Sequence, residues 1–512
     1  MSDLIIAPVI LPAIVAAFLV LVLRHDLTSQ RIVSVGATLL LLGVAVLLYV
    51  AAASDAPQSY RLGDWPAPFG IVLVLDRLAA TMLLLTALLA VAVVIYALAG
   101  WDRRGRHFHP LFQFQLMGLN SAFLTGDVFN LFVFFEIMLI ASYGLMLHGG
   151  GSRRLRVGFH YVAINLLGST LFLFAVGLIY AVTGTLNMAD LAIKTAAVAP
   201  GDESILRVGA LLLLLVFALK AALVPLQWWL PSAYAAAPGP VAALFMMMTK
   251  VGAYSIVRVY TVVFGTDAGA VAGIAVPWVA PAALATLVLG AVGVLASPTL
   301  KGLACFSIVW SMGSLLLALG LFDQSGLSAG LYYLLHSTLS GAALFLLADL
   351  VCAHRGHVAD RLVASPPLHH PKLFAGLFFI AAIAITGMPP LSGFLGKLLI
   401  LDATWGSPLG TASWIILLGT SLVAILGFAR AGSTLFWETA SQPSAPLGPA
   451  QPIALPVAVV IAILGTTVLL SVMAGPITRD LAETARQTLE TGSYVRAVDP
   501  APLALSRSEP KS

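Results

Sequence analysis

Charge is what this 512-residue chain has least of: Asp, Glu, Lys and Arg together make up 9% of it, where a soluble protein carries roughly 25%. That shortage excludes an ordinary soluble domain and, with 60% hydrophobic residues, predicts a polytopic membrane protein. Cysteine is nearly missing as well. The two present, Cys305 and Cys352, lie within or near the end of apolar runs and in no metal or redox spacing, so both read as packing residues. No HExxH, CxxC, GxGxxG or Walker pattern stands in a usable context. Zinc, nucleotide, flavin and iron–sulfur sites therefore have no support, and no cofactor or metal is expected. Histidines do not fall in the facing pairs that hold haem inside a bundle. The formal charge of +4 does not point to nucleic acid, because the basic residues cluster in short loops between apolar runs, where they set topology.

What is there is one apolar run after another. At roughly 20 residues per span, the sequence predicts an all-α membrane protein of about fourteen helices. They lie near 4–24, 32–53, 71–99, 108–125, 128–148, 157–183, 205–229, 240–264, 272–296, 301–321, 327–353, 372–403, 411–437 and 452–475. The first run follows Met1-Ser2-Asp3 without a basic segment or cleavage site, and so reads as a transmembrane helix, not a signal peptide. Arg24 and Arg31, then Arg103, Arg104 and Arg106, then Arg153, Arg154 and Arg156, then Arg355, Arg361 and Lys372 occupy alternate loops. The positive-inside rule places those loops in the cytoplasm and both termini outside, which in a Gram-negative cell is the periplasm. Both cysteines then lie toward the reducing side. Segments 54–70 and 184–204 read as outer loops, and 478–512 as a mostly disordered tail.

Against this apolar background a few ionisable residues stand out. The stretch LLLLLVFALKAALVPLQWWLPSAYAAAPGPVAALFMMMTKVGAYSIVR from Leu211 to Arg258 carries Lys220 and Lys250, each deep in an apolar run. A lysine near the bilayer centre costs at least about 3 kcal/mol, so two of them require a reason. Pro225, Pro231, Pro238 and Pro240 preclude one continuous helix here, and Pro225 removes the helical partner of the Ala221 carbonyl beside Lys220. A second break occurs in AAIAITGMPPLSGFLGKLLI, at Gly387, Pro389 and Pro390, with Lys397 after it. Interrupted spans in corresponding halves point to an inverted repeat with sites at the breaks. The seventh and twelfth spans are five apart, so two five-helix units would have opposite orientation. The domain reading is 1–107 for three leading helices, 108–270 and 271–440 for the repeats, 441–477 for a last helix and 478–512 for the tail.

Glu136, in the fifth span, would attract Lys220. At about 6 Å and an effective dielectric near 20, the pair is worth about 3 kcal/mol, so a change in separation would toggle the lysine's proton. A static ion pair is the structural alternative. Asp127 reads as the N-cap of the same helix. His336, mid-span beside Ser337, Thr338 and Ser340, is either a proton relay or a packing residue. Lys301 and Asp349 fit an interfacial role as well as a proton path.

These residues carry a family resemblance. The segments TGDVFNLFVFFEIMLIASYGLM, FALKAALVPLQWWLPSAYAAAPGPVAALF, MTKVGAYSIVRVY, YLLHSTLSGAALFLLADL and TGMPPLSGFLGKLLIL resemble the proton-translocating antiporter-like family over roughly 70–475. That family includes the large membrane-arm subunits of respiratory complex I and the A and D subunits of the multisubunit Mrp cation/proton antiporters. The chain is most similar to the D-subunit branch. The resemblance implies a mid-membrane proton axis on Glu136, Lys220, Lys250 and Lys397, with His336 between the last two. It implies membrane-subunit partners, small and large, in a bacterial inner membrane, a lipid bilayer around them, and exchange of H+ for Na+ or K+. It makes the chain a transporter subunit, not an enzyme. Ser340 stands near a position where some relatives have lysine, which weakens the route through His336. A proton-pumping subunit of complex I or of a membrane-bound hydrogenase is the alternative.

Overall fold

A computed structural model describes residues 2–54, 56–365, 368–438 and 453–498. The expected boundary at 440/441 and residues 499–512 of the expected tail lie outside the described residues.

The chain opens with α1 (Ala7–Leu21), α2 (Leu27–Ser54) and α3 (Arg77–Ala97). Next come α4 (Phe108–Leu124), α5 (Val128–Met146), α6 (Ser152–Thr183), α7 (Met188–Thr195), α8 (Glu203–Lys220), α9 (Trp229–Ala236), α10 (Gly239–Leu244) and α11 (Met246–Val262). The second half holds α12 (Val276–Ala296), α13 (Leu300–Leu319), α14 (Gln324–His354), α15 (Pro371–Thr386), α16 (Ser392–Thr404), α17 (Gly410–Phe436) and α18 (Ala454–Val472). Last are α19 (Ala474–Leu489) and α20 (Thr491–Val498). Helix starts follow the local chemistry of capping: Asp76, Asp127, Thr299 and Asp323 each accept a backbone N–H from the first turn of α3, α5, α13 and α14. The expected cap at Asp127 is among them, with Asn130 N at 2.8 Å.

Among the described residues, 11 helical segments are long and apolar enough to cross a membrane. The other three expected spans fall on shorter or broken pieces. α4 has 17 residues, α8 ends early and is followed by α9, and α15 and α16 split the run at 372–403.

Burial sorts the helices. The apolar stretch of α10–α11 is 100% buried, that of α14 94% and that of α13 89%, against 28% for α1 and α2 and 33% for α17. Helices apolar on every face but buried on every face must be central, while those exposing apolar residues are peripheral. The lysine-bearing α11 is thus in the middle of the bundle. It closes on α8 through Gly252, where a Cβ would meet Ala221 N at 2.5 Å and the Lys220 carbonyl carbon at 2.8 Å.

Two expected loops contain structure. Segment 54–70 leads into an antiparallel hairpin of β1 (Gln58–Arg61) and β2 (Val72–Leu75), paired from Gln58↔Leu75 to Arg61↔Val72. Segment 184–204 contains α7. The reading of 478 onward as a mostly disordered tail is corrected for 478–498. α19 and α20 bury Leu481, Ala485, Tyr494 and Val498 against the bundle. Asp480 accepts from Arg77 at 2.8 Å and from Tyr49 at 2.5 Å, and Arg61 donates to Val498 O at 2.9 Å. Balanced charge misled the composition argument, because an amphipathic helix lying on a protein face also has balanced charge.

Candidate functional site at two helix breaks

The first break starts at the lysine itself. α8 stops at Lys220, and Ala222 takes a left-handed φ of 55°. The expectation that Pro225 frees the Ala221 carbonyl is corrected: the helix has already ended upstream of the proline. The carbonyl supplied with a new partner is that of Leu219, which accepts the Trp229 indole N–H at 3.0 Å. The Lys220 side chain is 5% exposed and donates to Asn165 Oδ1 at 2.9 Å. Gly168, one turn along α6, makes room for the preceding residue of α8: a Cβ there would meet Leu219 Cδ2 at 2.8 Å, while Lys220 Nζ lies in ordinary contact at 3.9 Å.

Glu136 and Lys220 do not form a direct ion pair among the described residues. α6 stands between them. Ser169 Oγ donates to Glu136 Oε1 and lies 3.0 Å from the Asn165 carbonyl, while Asn165 Nδ2 donates to Tyr161 O at 2.8 Å. Two neutral polar residues one helical turn apart therefore stand between the charges, Ser169 on Glu136 and the Asn165 main chain, and the Asn165 side chain on Lys220. Glu136 is only half-buried, on the surface of α5.

Lys250 is fully buried, with Met312 Sδ 3.5 Å from Nζ. No carboxylate pairs with it within 4 Å among the described residues. A neighbouring cationic residue, Arg258 of the same helix, makes the contrasting choice: it is clasped by both oxygens of Asp76 at 2.5 and 2.7 Å. That buried pair ties α11 to the start of α3, and an arginine fork suits such bidentate geometry.

The second break is built differently. α15 ends in Gly387 at φ 75°, and α16 begins at Ser392. Lys397 folds back over the break, donating to Thr386 O at 2.5 Å and Ser421 Oγ at 3.0 Å, with its Nζ 3.8 Å above the Trp310 ring. Gly387 suits the break in two ways: its φ is left-handed, and a Cβ there would push on the flexible end of Lys397, meeting Cδ at 2.7 Å. Trp310 is brought close by Gly290 of α12, where a Cβ would meet Trp310 N at 2.4 Å.

His336 reaches the same break, with Nδ1 2.8 Å from Ser392 Oγ. Beside it a cavity of about 10 Å³ is bounded by Met246, Ser311, Tyr333 and Ser340, space for about one water. Lys301 and Asp349 meet at the basic end, 3.7 Å apart.

All five expected site residues thus lie in the bundle, Lys220 and Lys397 each at a break. Sequence reading missed the groups that hold them. Asn165 and Ser169 carried a usable signal, as polar residues at i and i+4 within an apolar span. Trp310, Ser392 and Ser421 carried none. Among the described residues, no cluster of three His, Cys, Asp or Glu side chains is placed to hold a metal ion.

Comparison with known proteins identifies the family. The family described as "NADH:quinone oxidoreductase/Mrp antiporter, TM" matches residues 125–425, more than half of the chain. The D subunit of a probable K(+)/H(+) antiporter from Rhizobium meliloti is 41% identical, covering 99% of both chains. The D subunit of a Na(+)/H(+) antiporter from Alkalihalophilus pseudofirmus is 36% identical, covering 97% of this chain and 99% of its own. Among solved structures, a chain of the Mrp complex from Dietzia sp. superposes with a TM-score of 0.87 at 28% identity, over 97% of this chain and 100% of that one. This multi-pass membrane chain belongs to the NADH:quinone oxidoreductase/Mrp antiporter family, as a homologue of the Mrp antiporter D subunits.

Proposed function

We propose that the chain is the D subunit of a multisubunit Na+ or K+/H+ antiporter and passes protons along Glu136, Lys220, Lys250, His336 and Lys397. One observation carries the reading. Among the described residues, the buried lysines Lys250 and Lys397 are held by a thioether, a carbonyl, a hydroxyl and an indole ring alone. Neither has, among the described residues, a carboxylate that would lock a charge in place, and an ionisable group left so at membrane depth points to an ion pathway. Lys220 differs in having Glu136 within reach through Ser169 and Asn165. Small rearrangements of α6 would alter how strongly that carboxylate holds it. The membrane potential, at about 2.3 kcal/mol per charge per 100 mV, would bias each transfer.

The breaks after Lys220 and after Thr386 support a division into inverted repeats at 108–270 and 271–440. The arginine-rich loops support a cytoplasmic basic face, periplasmic termini and a bacterial inner-membrane location. The relatives' names support a transporter subunit working with other membrane subunits, with no enzymatic reaction of its own. They are divided between K+ and Na+.

The test is cation-dependent proton flux in everted vesicles. Glu136→Ala and Lys220→Ala are expected to abolish it while the complex still assembles; undiminished flux in assembled variants would refute the reading. A second reading, a proton-pumping subunit of a redox complex, draws on the likeness to a chain of an archaeal membrane-bound sulfane sulfur reductase, with a TM-score of 0.88 at 26% identity. Purification decides between them: iron–sulfur and flavin proteins would accompany the chain only in the second case.

A further inference from the structure

At the basic end of the bundle a cavity of about 240 Å³ opens between α3, α6, α13, α14 and the start of α18. That is well above the roughly 10–15 Å³ that one water requires. Arg104, Arg154 and Lys301 line it with Asp349. Three cations against one carboxylate leave two positive charges.

Asp349 does not use those cations up. Its Oδ2 accepts from the Trp101 indole at 2.6 Å and from Tyr96 OH at 3.1 Å, both neutral donors, and Lys301 approaches Oδ1 only to 3.7 Å. Arg104 lies flat on Trp101, 3.9 Å from the ring centre, and makes no hydrogen bond within the described residues. Arg154 commits Nε to Ala236 O at 2.9 Å and Nη1 to His148 O at 3.0 Å and Gly150 O at 3.3 Å, which orients the fork and leaves Nη2 over.

A separate observation comes from His354, which also lines the cavity and is 8% exposed. Its Nδ1 donates to Leu350 O at 2.8 Å, and its buried Nε2 has no hydrogen-bond partner among the described residues. With Nδ1 donating, the neutral ring leaves Nε2 as a buried acceptor, which suits a hydroxyl of hydrogen phosphate or of a glycerol headgroup, beside the under-used guanidinium and ammonium donors.

We propose that this cavity binds a phosphate-class oxyanion, carried by an anionic phospholipid headgroup or by free phosphate. Guanidinium groups match phosphate oxygens in pairs, and an ammonium adds a point charge. Basic pockets between transmembrane helices on the cytoplasmic side suit such headgroups. The site joins α6 of one half to α13 and α14 of the other, so an occupant would hold the two halves together at this face.

The experiment is native mass spectrometry on the full chain in its purified complex. Three probes are added separately: phosphatidylglycerol, phosphatidylcholine and inorganic phosphate. The expected result is a tight phosphatidylglycerol or phosphate adduct, weakened at least about tenfold in Arg104→Gln/Lys301→Gln and largely retained when Arg104→Lys is made alone. A phosphatidylglycerol adduct alone assigns the headgroup; an inorganic phosphate adduct as well assigns the free anion. Arg104 is exposed, so the single variant Arg104→Gln serves if the double variant fails to assemble. Phosphatidylglycerol and phosphate that bind no better than phosphatidylcholine, or adducts unchanged in Arg104→Gln, overturn the proposal.

Discussion

The two helix breaks solve one problem in two ways. At the first, the ammonium of Lys220 is reached by a carboxylate through intermediaries, Asn165 at 2.9 Å and then Ser169 on Glu136. At the second, Lys397 has no carboxylate among its contacts with the described residues: the break's own carbonyl at Thr386, a hydroxyl from α17 and the face of Trp310 surround it. The first arrangement makes the lysine's charge depend on a neighbour that is half-buried on the chain's surface. The second makes it depend only on the local fold. One half is thus open to influence from beside it, and the other is self-contained.

That contrast can be broken residue by residue. The largest effect is expected from Asn165→Ala, which strips Lys220 of its acceptor and cuts the line to Glu136. A buried hydrogen bond to a charge is worth about 1.5–3 kcal/mol, so vesicle proton flux should fall about ten- to a hundredfold. Asn165→Asp sharpens the point: a carboxylate placed directly on Lys220 should hold its charge, and flux should stay low although assembly is intact. Next comes Trp310→Leu, which removes the ring under Lys397. A desolvated cation–π contact is worth about 2 kcal/mol, so flux should drop by more than tenfold, whereas Trp310→Phe should keep most of it. The smallest effect is expected from Gly387→Ala, where a left-handed φ costs about 1–2 kcal/mol and the flexible end of Lys397 must shift. A several-fold loss of flux there, in a complex that assembles normally, would mark the second site as dependent on its own break. Equal responses to Asn165→Ala and to an alanine at Ser421 would erase the distinction.

Much of this was legible in the chain because membrane insertion is strict about charge. Lys220, Lys250 and Lys397 stand out when only 9% of residues are charged, and prolines with no N–H announce the breaks. The end of α8 was not legible. Proline rules out a helix at Pro225 but does not say how far upstream the chain will leave it, and contact with α11 at Gly252 accompanies an end at Lys220. Nor was the separation of Glu136 and Lys220. Sequence distance says nothing about a third helix lying between two others. The C-terminal helices were missed for a similar reason, since α19 finds its apolar surroundings only on the finished bundle.

Composition and periodicity by themselves determined that the chain lives in a bilayer, that its helices are interrupted twice, and which ionisable residues are too costly to be incidental. The tertiary structure alone decided what each of them touches. A span's hydropathy is a sum over its own residues, whereas the partner of a buried ammonium is set by which other helices close around it. That is how Asn165 came to hold Lys220, and Trp310 came to lie beneath Lys397.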